Sequence, residues 1–210
     1  LDMLIDTVVK GIVIGLSISV PLGPIGMLCI QRTLNRGRKF GFITGLGATT
    51  SDLLYAVITL FFLSFVIGFI DAHRLIIQLI GSLVVIGFGF WTFRSNPVAQ
   101  PQPHEKPNHS LFGDYITSFG LTLSNPFILF VLIALFARFE FVTSDTTFFV
   151  HIIGIFSVLL GASLWWSILT YLVSRFSNKF NLRGLKLINR ITGAIIMLIG
   201  LVGTGISLLK

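Results

Sequence analysis

The sequence predicts an all-α membrane protein of six transmembrane helices, arranged as a 3+3 inverted repeat with both termini outside. Composition is the first reason: 54% of the 210 residues are hydrophobic, 11% are charged and the mean hydropathy is +0.93, whereas soluble domains average about 25% charged residues. The second reason is a series of apolar runs that reach the roughly 17–25 residues needed to span about 30 Å of hydrocarbon. The predicted spans are 7–30, 40–70, 75–93, 115–137, 146–173 and 191–209.

A polar segment divides the chain into two halves. Residues 95–113 contain four prolines and form a predicted linker between a first three-helix repeat, 1–94, and a second, 114–210. Because each repeat has an odd number of spans, the second inserts in the opposite orientation, as in many secondary transporters. The segments Gly47-Ala48-Thr49 and Gly161-Ala162-Ser163 correspond between the second and fifth spans.

Basic residues predict the orientation. Eleven of the fifteen Lys and Arg residues lie in the connections after the first, third and fifth spans. The positive-inside rule places these connections, including the linker, in the cytoplasm. The same distribution accounts for the net charge of +7 without a nucleic-acid partner. Because Asp2 and Asp6 replace the basic start of a signal peptide, we expect the first span to be retained in a multi-pass protein of the cytoplasmic (inner) membrane.

The first span of each half is interrupted by proline in its interior. Proline leaves amides and carbonyls without intrahelical partners, and in lipid these groups must bond to neighbouring helices, water or a bound solute. An ordinary proline kink explains either interruption alone, but two in corresponding positions predict a shared cavity halfway through the membrane. The residues expected to form it are Pro21, Gly23 and Pro24 in the first span and Asn125 and Pro126 in the fourth.

Asp52 is the only ionisable residue deep inside a predicted span, about 18 Å from the start of the second span at 1.5 Å per residue. It shares a helical face with small residues that include Gly45 and Ala48, so this face is expected to point into the bundle. A carboxyl group at this depth indicates proton coupling or substrate binding. The alternative is a structural role, in which Asp52 caps amides freed at the first interruption.

Two other side chains are candidates for the pathway. Asn125 offers a donor and an acceptor beside the second interruption, although it could instead bond only to its own helix. Trp165 and Trp166 fall where the repeat places Ser51 and Asp52. Packing is the default role of both rings, and the alternative is that Trp165 lines the pathway. The four histidines and the single cysteine lack metal-ligand spacing, so we expect neither a metal nor a cofactor.

Several motifs occur together in an order that spans nearly the whole chain. They are Pro21-Leu22-Gly23-Pro24, Asn35-Arg36-Gly37-Arg38, Gly41-Phe42-Ile43-Thr44-Gly45-Leu46-Gly47 before Asp52, and Ser124-Asn125-Pro126. This order resembles the LysE/RhtB family of amino acid exporters. The resemblance implies expulsion of amino acids or related metabolites across the cytoplasmic membrane, driven by the proton gradient. Two departures are Leu22, which interrupts a Pro-Gly-Pro found in many members, and Phe127, where many members have lysine. The cargo therefore does not follow from the resemblance.

The leading hypothesis is thus a secondary transporter that exports an amino acid-like substrate by proton antiport. Its expected partners are the substrate, protons and the lipid bilayer, and a homodimer is left open. An intramembrane enzyme is the first alternative, but no second catalytic group accompanies Asp52 within the spans. A non-transporting scaffold is the second, and it leaves both interrupted helices unexplained.

Overall fold

The computed structural model describes residues 2–65, 67–96, 110–141, 147–176 and 182–208, and all regular structure in these ranges is helical. Helices are expected because apolar segments in lipid must satisfy their backbone groups internally. Most of the predicted linker lies outside the described residues. The helices are α1 (Asp2–Ser19), α2 (Pro24–Arg36), α3 (Arg38–Phe65), α4 (Ile67–Ala72), α5 (Arg74–Arg94), α6 (Leu111–Leu123), α7 (Phe127–Arg138), α8 (Phe148–Arg175) and α9 (Leu182–Leu208).

Four helices in the described residues, α3, α5, α8 and α9, are long and apolar enough to cross a membrane. The predicted first and fourth spans are instead two bent pairs of helices. The bend is 80° between α1 and α2, and 71° between α6 and α7. The chain therefore has four candidate spans, or six if each bent pair crosses the membrane once.

Helix ends extend beyond the apolar runs that predict them. Helix α9 begins at Leu182 and α6 at Leu111, both before the predicted starts of their spans. The side chain of Ser110 caps α6 by accepting a bond from the Gly113 amide at 3.1 Å. Hydropathy detects the hydrocarbon-matched part of a helix, whereas backbone bonding continues into its polar ends. Asp114, which the predicted span excludes, consequently lies within α6.

Small residues bring the two halves into close contact. Helix α1 packs against α8, and α3 packs against α6. In each half, therefore, the first helix contacts the helix of the second predicted span in the other half. At these contacts Gly161 lies against the main-chain oxygen of Ile12, and Gly47 against that of Tyr115, with no room for a Cβ at either glycine. Both oxygens lie about two turns before the end of their helix. The two glycines thus make similar close contacts, one with α1 and one with α6.

A buried ion cluster joins α2, α3 and α6 at the basic end of the bundle. Arg32 and Asp114 are 1% and 0% exposed. Arg32 Nη1 donates to Thr44 Oγ1 at 2.9 Å and to the main-chain oxygen of Asp114 at 3.0 Å, and its Nε lies 3.4 Å from Asp114 Oδ1. Arg36 Nη1 donates to both oxygens of the same carboxylate, at 3.0 and 2.9 Å. The cluster therefore ties one half of the first bent pair to one half of the second.

Apolar side chains fill the opposite end of the bundle. One buried cluster includes Leu60 and Leu63 of α3 together with Leu132 and Phe136 of α7. Many other large apolar side chains lie on the outer surface, with Phe65 91% exposed. Such a surface is typical of a protein surrounded by lipid. Apolar packing thus closes one end of the bundle, and the ion pairs of Asp114 join the helices at the other end.

Candidate functional site

The first helix break lies between α1 and α2. Gly23 precedes α2 in an extended conformation and Pro24 is its first residue, a position where the amide that proline lacks would have no partner in any case. Asn189 of α9 supplies partners for the interrupted backbone: its Oδ1 accepts from the Leu22 amide at 2.8 Å, and its Nδ2 donates to the Leu22 oxygen at 3.1 Å. An asparagine from the last helix thus replaces the bonds that the break removes.

The second break, between α6 and α7, is satisfied in a similar way by α3. Tyr55 donates its hydroxyl to the main-chain oxygen of Leu123 at 2.5 Å, and Ser51 donates to that of Phe119 at 2.6 Å. Asn125 Oδ1 accepts from the amide of Phe127 at 3.2 Å. The alternative role for Asn125, bonding to its own chain, is therefore observed for its oxygen.

A cavity of about 130 Å³ lies between the two breaks. Asp52 lines it and is 5% exposed. Within the described part of the chain, no hydrogen-bond or ion-pair partner of Asp52 is found. The amides at the first break are not capped by Asp52, and Asn189 bonds there instead. A carboxyl group desolvated in this way requires a proton, a cation or water beside it.

Other polar groups in the cavity also lack partners. Many helical serines and threonines elsewhere in the chain donate to the carbonyl one turn earlier. Outside the cavity lining, the buried hydroxyls without a partner among the described residues are those of Thr59, Ser82 and Ser118. The hydroxyls of Ser19, Thr92 and Thr122 make no such bond and have no partner among the described residues, although these side chains are 3%, 1% and 4% exposed. The indole N–H of Trp166 is likewise without a partner in that part of the chain. All four residues line the cavity, so it presents several unused donors.

Three aromatic rings form one wall. Phe88 and Trp91 of α5 have ring centroids 6.1 Å apart, and the ring of Phe127 at the start of α7 lies 6.0 Å from each. All three residues line the cavity. Separations of 4.5–7 Å are those at which aromatic rings attract one another. We call Phe88, Trp91 and Phe127 the aromatic wall.

Most of the predicted site residues line the cavity. Pro21, Gly23, Pro24, Asp52 and Asn125 all line it.

The other predicted residues occupy supporting positions. Pro126 immediately precedes α7 as its N-cap. Gly45 lies beneath the ring of Trp166, where a Cβ would collide with it. Trp165 packs at the margin of a second apolar cluster that contains Trp166. Of these two adjacent tryptophans, Trp166 lines the cavity, and it is also the residue that the predicted repeat aligns with Asp52.

Sequence reasoning missed Asn189 and the aromatic wall. The signal for Asn189 was an amide side chain close to the apolar part of the last span, where few polar side chains occur. Of the wall residues, only Phe127 had a signal, as a departure from the lysine of many related exporters. Phe88 and Trp91 had none, because single aromatic residues in apolar helices resemble packing residues.

The match to a family model covers residues 16–203, which include both breaks, Asp52 and Asn189. The chain belongs to the LysE type translocator family. This LysE type translocator is also 26% identical over 195 residues to the "Putative amino acid efflux protein YcgF" of Bacillus subtilis (strain 168), with 90% of each chain covered. No solved structure matches the chain. Family and helices together identify a multi-pass membrane protein and a membrane exporter of small molecules.

Proposed function

We propose that the chain crosses the cytoplasmic membrane six times, with the two bent pairs each forming one span and the two halves inserted in opposite orientations. The matched contacts of Gly47 and Gly161 support this arrangement, as does the reciprocal packing of α1 on α8 and α6 on α3. The basic loops then lie in the cytoplasm and both termini outside.

The two halves differ in one respect that bears on transport. Helix α2 packs mainly against α3, the second helix of its own half, whereas its counterpart α7 packs mainly against α5 and α3 of the other half. An exchange of these two arrangements between the halves would produce a second conformation of similar packing. In inverted-repeat transporters, alternating access is a movement of one repeat against the other around a fixed binding site.

The conformation described here faces the cytoplasm in our proposal. The cavity lining runs from Asp52, about halfway along α3, to Ser95, which follows Arg94 at the basic end of α5. On the other side of the cavity the packed cluster with Leu60 and Leu63 separates it from the opposite face. An exporter loads its substrate in a state of this kind.

The function we propose is export of amino acids by proton antiport, without an enzymatic step. The observation that carries it is Asp52, an unpartnered carboxyl group in a cavity between two helix breaks. A charged carboxylate attracts the ammonium group of an amino acid, and a proton on the same carboxyl group removes that attraction. Because the proton and the ammonium group compete for Asp52, a proton arriving from outside displaces the substrate, and the two movements are coupled.

Efflux from proteoliposomes tests the proposal. Liposomes loaded with a radiolabelled amino acid mixture, with an imposed pH gradient, are expected to release label faster with the protein than without it. Asp52→Asn is expected to abolish the dependence on the gradient, since the amide cannot exchange a proton. Asp6→Asn is the matched control, because Asp6 is an exposed residue near the start of α1 that pairs with Lys10. Gradient-independent efflux that Asp52→Asn leaves unchanged would rule out the coupling role.

A further inference from the structure

The size of the cavity limits what it can hold. Its volume of about 130 Å³ is close to the roughly 150 Å³ of an apolar cavity that accommodates benzene. This is room for one small molecule, such as an amino acid with a short branched side chain. Peptides and nucleotides are too large for it.

The charges of the cavity are as informative as its size. Among the described residues that line it, Asp52 is the single ionisable one, and none is Lys, Arg or His. The cations Arg32, which is buried, and Arg36, which is partly exposed, are bonded to Asp114 and do not line the cavity. An acidic side chain would therefore meet no cation. A basic side chain would compete with the substrate's own ammonium group for one carboxylate.

The remaining lining suits the other parts of an amino acid. The amides of Ile25 and Gly26, in the first turn of α2, have no side-chain cap and both residues line the cavity. A helix N-terminus of this kind attracts a carboxylate. The unpartnered hydroxyls of Ser19, Thr92 and Thr122 line the same cavity and can donate to a carboxylate as well.

The aromatic wall is the surface left for the substrate side chain. Phe127 is 45% exposed and Trp91 52% exposed, so neighbouring side chains do not fully cover either residue, and both line the cavity. Apolar contact with such rings gains free energy in proportion to the area removed from water, about 0.8 kcal/mol per buried CH₂. A charged side chain in the same place would lose its hydration without a partner.

We infer that this cavity selects amino acids with uncharged, apolar side chains of about the size of leucine, with the aromatic wall as the specificity-determining surface. The inference rests on the proposed export of amino acids through this cavity. In the binding mode that we infer, Asp52 binds the ammonium group of the substrate. The start of α2 and the hydroxyls of Ser19, Thr92 and Thr122 bind its carboxylate.

A panel of single radiolabelled substrates in proteoliposomes tests the selectivity. We expect efflux of leucine and valine at least about tenfold faster than efflux of alanine, because alanine lacks two or three of the carbon groups that the wall would bury. Efflux of lysine and glutamate should be slower by a similar factor, because their charged side chains would lose hydration without a partner. Leucine efflux should be competed by excess valine and not by 3-methylbutylamine, which is leucine without its carboxylate. Equal efflux of lysine or glutamate, or equal competition by the amine, would overturn the inference while the export function stands. No efflux of any amino acid above that of empty liposomes would overturn the proposed function itself.

A substitution in the wall provides the second test. Phe127→Asp places a carboxylate at the start of α7, where the helix tolerates negative charge. We expect leucine efflux to fall at least about tenfold and lysine efflux to rise above the wild-type rate. Phe127→Leu is the matched control and should retain the preference for leucine.

A binding measurement avoids dependence on folding of the variants. Trp91 and Trp166 line the cavity, so leucine should change the tryptophan fluorescence of the wild-type protein in detergent at concentrations where lysine does not. Identical fluorescence titrations for leucine and lysine would contradict the selectivity.

Discussion

Replacing Asp114 by asparagine removes a negative charge that Arg32 and Arg36 share. Removal of one partner of a buried ion pair costs about 3–5 kcal/mol of folding free energy, because the other charge is left without compensation. Arg32 is 1% exposed, but it keeps its bonds to Thr44 and to the main-chain oxygen of residue 114. Arg36 is 23% exposed and can turn toward water. We therefore expect the lower end of the range, about 3 kcal/mol.

Thermal unfolding in detergent measures this loss. For a chain of this size, about 2–4 °C of melting temperature per kcal/mol gives an expected decrease of about 6–12 °C. The control is Asp6→Asn, which breaks the pair of Lys10 with a 58%-exposed aspartate and should cost less than about 1 kcal/mol. The double variant Arg32→Met with Asp114→Leu should recover part of the loss, since apolar replacement of a whole buried pair is often neutral. A melting temperature for Asp114→Asn equal to that of the Asp6 control would refute the reasoning.

Two further substitutions probe the support of the cavity. Gly45→Ala adds a Cβ that collides with Trp166, so we expect at least a tenfold fall in efflux, whereas Gly87→Ala, where a Cβ meets nothing within 4 Å, should leave efflux unchanged. Asn189→Ala leaves the buried amide and oxygen of Leu22 without their partner. At about 1–3 kcal/mol for each of these two unsatisfied groups, a destabilisation of about 2–6 kcal/mol is expected in thermal unfolding. Asn35→Ala, at an exposed position near the end of α2, is its control. Equal melting temperatures of the two variants would show that the hydrogen bonds between Asn189 and Leu22 contribute nothing to stability.

The hydropathy pattern was sufficient to predict an all-helical membrane protein, because apolar runs of this length have few alternatives to helices in lipid. The prolines also marked both breaks correctly, between Ser19 and Pro24 and between Leu123 and Phe127. What hydropathy could not predict is the sharpness of the bends. An angle of 80° or 71° depends on which neighbouring groups bond to the freed backbone, and those groups come from distant parts of the sequence.

The site was predictable to the extent that its residues are exceptions to local rules. A carboxyl group in an apolar span and a proline inside a helix stand out in the sequence, and Asp52, Pro21 and Pro24 line one cavity. The hydrogen bonds between Asn189 and Leu22 join residues at opposite ends of the chain, and no pattern within one helix indicates such a pair. Asp114 escaped notice because it adjoins a polar linker, so its burial depends on Arg32 from a different helix.

The two buried aspartates show how the same side chain serves two purposes in one bundle. Asp114 is fully buried and its oxygens accept bonds from Arg36 and face Arg32, so its charge is compensated inside the protein. Asp52 is nearly as buried, yet the described part of the chain offers it no partner. A carboxyl group in that position opposes folding unless something from outside binds it. Neutralising the two should therefore have opposite consequences: Asp114→Asn lowers the melting temperature, whereas Asp52→Asn leaves it equal or higher and abolishes gradient-driven efflux. Loss of stability in both variants would mean that Asp52 has a structural partner, and the exchange of proton for substrate at this carboxyl group would then have no basis.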